Sequence, residues 1–111
     1  PFVQQSALTA LTDPEVDIWV NENERIYRRR LDNVRAELGE SEAIHYPNGA
    51  FYILFRSATD ATGYLTKRGV AFAPGSAFGL VEKSWLRMTL AASDNDINRG
   101  IEAIKKEGLG P

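Results

Sequence analysis

The sequence predicts a two-layer α/β domain in which helices cover a mixed or antiparallel sheet and a long linking helix precedes them. Three observations predict this fold class. Apolar residues recur at helical spacing over about twenty-five residues before Gly39. Short apolar or alternating runs bounded by turn residues follow, and a second helical stripe closes the chain. No repeat or low-complexity tract interrupts this order.

The N-terminal third is predicted to be helical. Residues 2–11 are good helix formers. Thr12 or Asp13 can then cap a second helix, and Pro14 suits its first turn. The apolar stripe of this second helix continues to Gly39, which corresponds to a rod of roughly 37 Å. A helix of this length usually bridges to another part of a protein, so we expect a linking role for it.

Short elements are predicted in the middle of the chain. They are a strand at 43–46, a strand at 51–55, a short helix at 57–68 ended by Gly69, and a strand at 70–73. A turn at Pro47, Asn48 and Gly49 separates the first two strands. Because the run at 51–55 is apolar without interruption, we expect both faces of that strand to be covered.

The last predicted strand, residues 85–91, draws attention to Arg87. Strand periodicity places Arg87 on the face opposite its apolar neighbours, which are Leu86, Met88 and Leu90. From the pattern alone, Arg87 is either a half-exposed arginine that snorkels or pairs with a nearby carboxylate, or a receptor for a carboxylate ligand. The second interpretation rests on chemistry, since a guanidinium is a planar fork of donors that matches a carboxylate and keeps its proton.

The closing helix begins with a capping pattern. Ser93 and Asp96 stand three positions apart, as in a capping box, and the helix is expected to end near Gly108. Its predicted buried stripe consists of Ile97, Ile101 and Ile104. Asp94 and Asp96 are therefore interpreted as first-turn helix acids rather than as a catalytic pair.

Other polar residues are weaker candidates. The loop at 74–79 contains small residues but lacks the ending of a phosphate-binding P-loop, so its composition favours a turn. His45 has no second histidine or cysteine with which to build a metal site. The run from Arg28 to Arg30 is interpreted as a solvated helix face, in which Glu24 can pair with Arg28. No lysine stands in a context typical of Schiff-base chemistry; the four considered are Lys67, Lys83, Lys105 and Lys106.

Composition limits the class of protein. The 111 residues are 43% apolar and 25% charged, which favours one folded globular domain. A net charge of -2 supplies no attraction for nucleic acid or an anionic membrane, and the absence of cysteine excludes disulfides and thiolate nucleophiles. No stretch approaches the ~20 apolar residues that span a bilayer, so we expect a soluble, cytoplasmic protein. The chain begins at Pro1 and its only methionine is Met88, which suggests a piece of a longer protein.

Three blocks of the sequence resemble signature segments of the class I and II aminotransferases, of the aspartate aminotransferase superfamily. They occur in the family's order and spacing at residues 47–52, 69–79 and 85–91. The long helix resembles the one that links the two domains of that family, and residues 93–106 resemble its C-terminal helix. By this resemblance, residues 13–111 are the small C-terminal domain and residues 1–12 are the tail of the large domain.

The resemblance implies an enzyme that depends on pyridoxal 5'-phosphate and transfers an amino group from an amino acid to a 2-oxo acid. Arg87 would bind the substrate α-carboxylate, and Phe78 would face the substrate at the mouth of the active site. The family's cofactor-binding and Schiff-base residues belong to the large domain. This chain is therefore expected to contain no catalytic or cofactor-binding residue and to be inactive alone, and the full-length enzyme is expected to be a homodimer.

Two other functional classes stay open at this point. The same fold could form the ligand-sensing part of a transcription regulator without transaminase activity, and a helix-turn-helix region upstream in the gene would favour that alternative. An unrelated α/β interaction domain is the third class. A complete gene with the same two ends as this chain would favour it.

Overall fold

The computed structural model describes residues 1–79 and 84–111. Its elements in chain order are α1 (Phe2–Thr12), α2 (Pro14–Leu38), β1 (Ile44–His45), β2 (Tyr52–Arg56), α3 (Ala61–Arg68), β3 (Ala73–Pro74), a 3₁₀ turn (Gly75–Phe78), β4 (Trp85–Thr89) and α4 (Asp94–Glu107). The predicted α/β class and the order of the elements are confirmed. Lys83, one of the lysines considered above, lies outside the described residues.

The sheet of the described residues has four strands in the order β1-β2-β4-β3. Every neighbouring pair is antiparallel, so the structure decides between the mixed and antiparallel alternatives. In the central pair, Tyr52 lies opposite Thr89 and Leu54 lies opposite Arg87. This register places Arg87 in the middle of the sheet, between β2 and β3.

The long helix α2 begins and ends where the sequence predicts. The Asp13 carboxylate accepts a hydrogen bond from the Glu15 backbone N–H at 2.9 Å, and Pro14 occupies the first turn. Gly39 ends the helix with a φ of 72°, a backbone angle that glycine adopts without steric cost. Val34 is buried, whereas several apolar side chains in the first half of α2 are exposed, namely Ile18, Trp19 and Val20. No helix of the described ranges has the combined length and apolarity needed to cross a membrane.

The core lies between one face of the sheet and the helices. Strands β2 and β4 and helix α4 contribute most of its buried side chains, which include Ile53, Phe55, Leu86, Met88, Ile97, Ile101 and Ile104. Full burial of such a side chain contributes about 1.5–3 kcal/mol. The Ser93 hydroxyl accepts a hydrogen bond from the Asp96 N–H at 3.1 Å, which confirms the predicted cap of α4. Because these core side chains are buried, the predicted buried faces of β4 and α4 are also confirmed.

The expectation that β2 is covered on both faces is wrong for this chain. Ile53 and Phe55 are buried, but Tyr52 is 36% exposed and Leu54 is only half-buried. The buried cluster joins the Ile53 and Phe55 side of β2 to the helices, which leaves the other side open. An apolar run in the sequence therefore does not mean two covered faces here.

Several shorter elements also differ from their predicted bounds, most of all α3 and β3. Helix α3 begins at Ala61 rather than at residue 57, because the Asp60 carboxylate accepts hydrogen bonds from the N–H groups of Thr62 and Gly63 and thereby caps it. The strand predicted at 70–73 pairs only at Ala73–Pro74. Both differences are end effects that capping and pairing decide.

Candidate active site

The open face of the sheet carries the candidate residues. Strand alternation places on it His45 from β1, Tyr52, Leu54 and Arg56 from β2, and Trp85, Arg87 and Thr89 from β4. Arg87 is half-buried and points away from its buried neighbours Leu86 and Met88. The prediction for the face of Arg87 is confirmed.

Two aromatic rings contact the Arg87 guanidinium. Its Cζ atom lies 3.9 Å from the ring centroid of Tyr52 and 3.9 Å from that of Phe78. Such contacts use the π faces of the rings and attract a cation. The Arg87 side chain forms no ion pair or hydrogen bond with any other residue in the ranges 1–79 and 84–111, and only its backbone pairs within the sheet. Within the described residues, its side-chain N–H donors are therefore available to a ligand.

A 3₁₀ turn brings Phe78 to Arg87. The turn spans Gly75–Phe78 directly after β3, and Gly79 ends it with a φ of 92°, in the left-handed region that favours glycine. Gly75 is buried, whereas the Phe78 ring is 52% exposed. The interpretation of this loop as a turn is confirmed, and the turn holds an aromatic ring over the guanidinium.

Sequence reasoning did not identify Tyr52 as a partner of Arg87. Alternation alone places Tyr52 on one of two faces, but only the pairing of Tyr52 with Thr89 makes it the diagonal neighbour of Arg87. The one signal in the sequence was the shared open face. The register of β2 against β4, which brings Tyr52 next to Arg87, is a property of the folded sheet.

Arg87 borders a cavity of about 460 Å³ on the open face. Its other walls are mostly aromatic and apolar, formed by His45, Tyr46, Pro47, Tyr52, Leu54 and Phe78. A second cavity, of about 220 Å³, lies between Arg87 and the first turns of α4. A guanidinium with free donors at the edge of a largely apolar cavity is a typical ligand-orienting group.

The interpretation of the run from Arg28 to Arg30 as a solvated face is wrong for Arg30, whose side chain is only 17% exposed, whereas Arg29 is 63% exposed. Arg29 and Arg30 both contact the Asp94 carboxylate, each with a closest distance of 3.0 Å, and Arg30 also donates to the Leu90 carbonyl at 2.7 Å. These hydrogen bonds, first from Arg29 and then from Arg30, lower the pKa of the Asp94 carboxyl below its usual value. The cause is the position of the start of α4 beside α2, which helical spacing does not reveal.

The remaining candidates take structural roles. Arg28 pairs with Glu24 at 2.6 Å, as predicted. The His45 ring stacks on Trp85 with centroids 5.3 Å apart. The described residues contain no group of three or more histidine, aspartate and glutamate side chains that could hold a metal ion. None of these residues forms a site with Arg87 that the geometry would support as catalytic.

Two of the described lysines, Lys67 and Lys105, do not fit the chemistry of a pyridoxal phosphate lysine. Lys105 forms a hydrogen-bonded ion pair with Glu37, which raises the pKa of Lys105, whereas an amine that attacks a carbonyl needs a lowered one. Lys67 lies 3.9 Å from the carboxylate of Glu107. We therefore derive no reaction step through that cofactor from this chain.

Comparison with known proteins gives consistent matches. The sequence model of the family described as aminotransferase class I and II matches residues 2–104. A probable aspartate/prephenate aminotransferase from Aquifex aeolicus is 36% identical, over 95% of this chain and 29% of that protein. An aspartate aminotransferase from Thermococcus kodakarensis is 34% identical, over 96% of this chain and 29% of that protein.

The solved structures agree. The crystal structure of an aromatic aminotransferase from Pyrococcus horikoshii superposes with a TM-score of 0.80 at 29% identity, covering 95% of this chain and 30% of that one. The chain thus spans less than a third of the length of these relatives. On the matched residues, the superposition and the three blocks of the sequence, this chain belongs to the class I and II aminotransferase family.

Proposed function

We propose that this chain is the carboxylate-binding small domain of a pyridoxal-phosphate-dependent aminotransferase, which transfers an amino group from an amino acid to a 2-oxo acid. In this proposal Arg87 binds the substrate α-carboxylate and Phe78 faces the substrate. The observation that carries it is the Arg87 guanidinium, which stands at a cavity on the open sheet face with no partner among the described residues except two aromatic rings.

The chemistry of the site supports a carboxylate ligand. The rings of Tyr52 and Phe78 contact the guanidinium through their π faces and offer it no hydrogen-bond acceptor. A carboxylate can then bond two parallel N–H groups at the edge of the fork. Once the proposed large domain covers the open face, the apolar cavity walls would strengthen this pair by keeping water away. Arg87 would thereby orient the substrate, which is catalysis by positioning.

Other arginines of the chain show what an arginine with an internal partner looks like. Arg35 also lies over an aromatic ring, that of Tyr46 at 4.7 Å, but its Nε is 3.1 Å from the Glu40 carboxylate. Its charge is already compensated. Arg87 has the aromatic contacts without such a carboxylate in the described ranges. Arg56, over the Trp85 ring at 5.5 Å, also has no ion pair there, but Arg87 borders the 460 Å³ cavity and Arg56 does not, and this position favours a ligand as the missing anion of Arg87.

The names of several relatives fit this role. They are described as acting on aspartate or LL-diaminopimelate, among others, and these compounds share an α-carboxylate. The cofactor, the large domain that would hold it and a homodimeric assembly are part of the same proposal. The proposal does not include the side-chain preference of the enzyme, because no described lysine, second arginine, aspartate or glutamate lines the 460 Å³ cavity.

Steady-state kinetics of a full-length protein that carries this chain tests the proposal. Removing one member of a shielded charge pair costs about 2–5 kcal/mol, so Arg87→Ala should lower kcat/KM by about 30-fold to several thousand-fold. Arg87→Lys should recover only part of the loss, because an ammonium cannot reproduce the fork. The absorbance of the bound cofactor should be retained in both variants.

Arg28→Ala is the matched control. Arg28 is exposed and pairs only with Glu24 among the described residues, so its removal should leave kcat/KM nearly unchanged. A near-wild-type kcat/KM for Arg87→Ala would refute the carboxylate role. Loss of the cofactor absorbance would instead assign Arg87 to folding or assembly.

A further inference from the structure

Two side chains of α2 reach the end of the strand pair that carries Arg87. Tyr27 and Arg30 stand three positions apart and therefore share one face of the helix. The Tyr27 ring stacks on Phe51 with centroids 5.6 Å apart and an interplanar angle of 23°. Arg30 Nη1 donates to the Leu90 carbonyl at 2.7 Å.

These two contacts meet at one junction, which consists of Phe51 and Leu90. The Leu90 N–H donates to the Phe51 carbonyl at 2.7 Å, one step beyond the last pair of the β2–β4 ladder. From this junction a continuous series of ring contacts leads to Arg87. The Phe51 and Tyr52 centroids are 4.5 Å apart, and the Tyr52 ring is 3.9 Å from the Arg87 Cζ.

We propose that Tyr27 and Arg30 are positioning residues for Arg87. They fix the Phe51–Leu90 junction from the side of the long helix, and the junction fixes the Tyr52 ring against the guanidinium. The proposed effect on substrate binding rests on the carboxylate role of Arg87. The proposed effect on the position of the guanidinium does not depend on that role.

The burial of Arg30 supports this assignment. Its side chain is 17% exposed, compared with 63% for Arg29 and 70% for Arg28. A guanidinium is withdrawn from water at low cost only if its donors find acceptors. Arg30 finds two at this turn, the Leu90 carbonyl and Asp94 Oδ1 at 3.0 Å. It therefore ties α2 to both ends of the connection between β4 and α4.

The backbone before Phe51 also supports it. Ala50 has a φ of 60°, the only positive φ at a non-glycine residue in the described ranges. A non-glycine residue keeps this conformation only where the surrounding structure imposes it. The contacts of Phe51 with Tyr27, Tyr52 and Leu90 are those surroundings, so the position of the ring is determined by packing rather than by the turn alone.

The test reads the Arg87 side chain directly. In the ¹⁵N-labelled chain, the two rings should shift the Arg87 Nε–H proton upfield of free arginine, and Arg87→Lys identifies the signal by removing it. Arg30→Met and Tyr27→Leu should each move this proton back toward the free value. Tyr27→Phe keeps the ring and should leave the signal in place, as should the control Arg28→Met. Retained amide signals of α4 show that each variant is folded.

Kinetics of the full-length protein gives a second, independent reading. Arg30→Met and Tyr27→Leu should lower kcat/KM, by up to about a hundredfold for an ångström-scale displacement of the guanidinium, while the cofactor absorbance is kept. An unmoved Arg87 proton in folded variants would overturn the inference, and so would an unchanged kcat/KM in both variants if Arg87→Ala itself lowers kcat/KM. If instead Arg87→Ala keeps wild-type kcat/KM while the proton still moves in both variants, the proposed function fails and the positioning role stands.

Discussion

Replacing Phe78 with leucine should remove its cation–π contact with the Arg87 guanidinium, and the energy of this contact can be measured. The Arg87 Cζ lies 3.9 Å from the Phe78 centroid, well inside the ~6 Å range of cation–π attraction. Because Phe78 is 52% exposed, the contact belongs at the weak end of the known range, about 0.5–1 kcal/mol. Tyr52 is 36% exposed and should couple to Arg87 at least as strongly.

A double-mutant cycle measures this coupling. The free energy of unfolding is determined in urea for the wild-type chain, Phe78→Leu, Arg87→Met and the double variant. Leucine and methionine keep apolar volume while they remove the ring and the charge. With a slope of about 1–3 kcal/mol per molar urea, a coupling of 0.5–1 kcal/mol displaces the midpoint by some tenths of a molar unit, which is measurable.

The matched control pairs Phe78→Leu with Arg28→Met. These side chains share no contact in the described structure, so their effects should add to within about 0.3–0.5 kcal/mol. Zero coupling between Arg87 and both rings would refute the reasoning. It would mean that the rings lie next to the guanidinium without stabilising its position, so the site would not be preorganised by these contacts.

Three further outcomes are expected. Ile101→Ala should cost about 2–5 kcal/mol in denaturant, because Ile101 is 2% exposed in the core, and a loss below about 1 kcal/mol would contradict the packing of α4. Because the folded state lowers the pKa of Asp94, its stabilising effect is complete above the pKa of the unfolded carboxyl and is lost as the pH falls through the lowered value. Asp94→Asn should therefore make the free energy of unfolding fall less steeply at acid pH. An unchanged fall at acid pH would argue against the ion pairs. Leu11 and Trp19 are 83% and 64% exposed, so the chain should self-associate at high concentration and the double variant to glutamate should do so less, whereas a monodisperse wild-type monomer in light scattering would count against this surface.

The sequence by itself determined the class and order of the elements and the buried faces of β4 and α4. The caps at Asp13, Gly39 and Ser93 and the alternation around Arg87 depend only on residues a few positions apart. Local rules of this kind hold before the chain folds, because the period of a strand or a helix is set by its own backbone geometry. The orientation of Arg87 was therefore predictable from local rules, whereas its candidate role as a carboxylate receptor came from the family resemblance.

The tertiary structure decided what surrounds that residue. Tyr52 meets Arg87 through the register of β2 and β4, and Phe78 meets it through the 3₁₀ turn. The contacts of Arg30 with Leu90 and Asp94 join residues 60 and 64 positions apart. Such contacts depend on how separate elements pack together, and residues far apart in the chain carry no periodic signal of their meeting. The sequence therefore shows which way Arg87 faces, whereas the rings that contact it and the helix that braces its strand are set only when the layers pack.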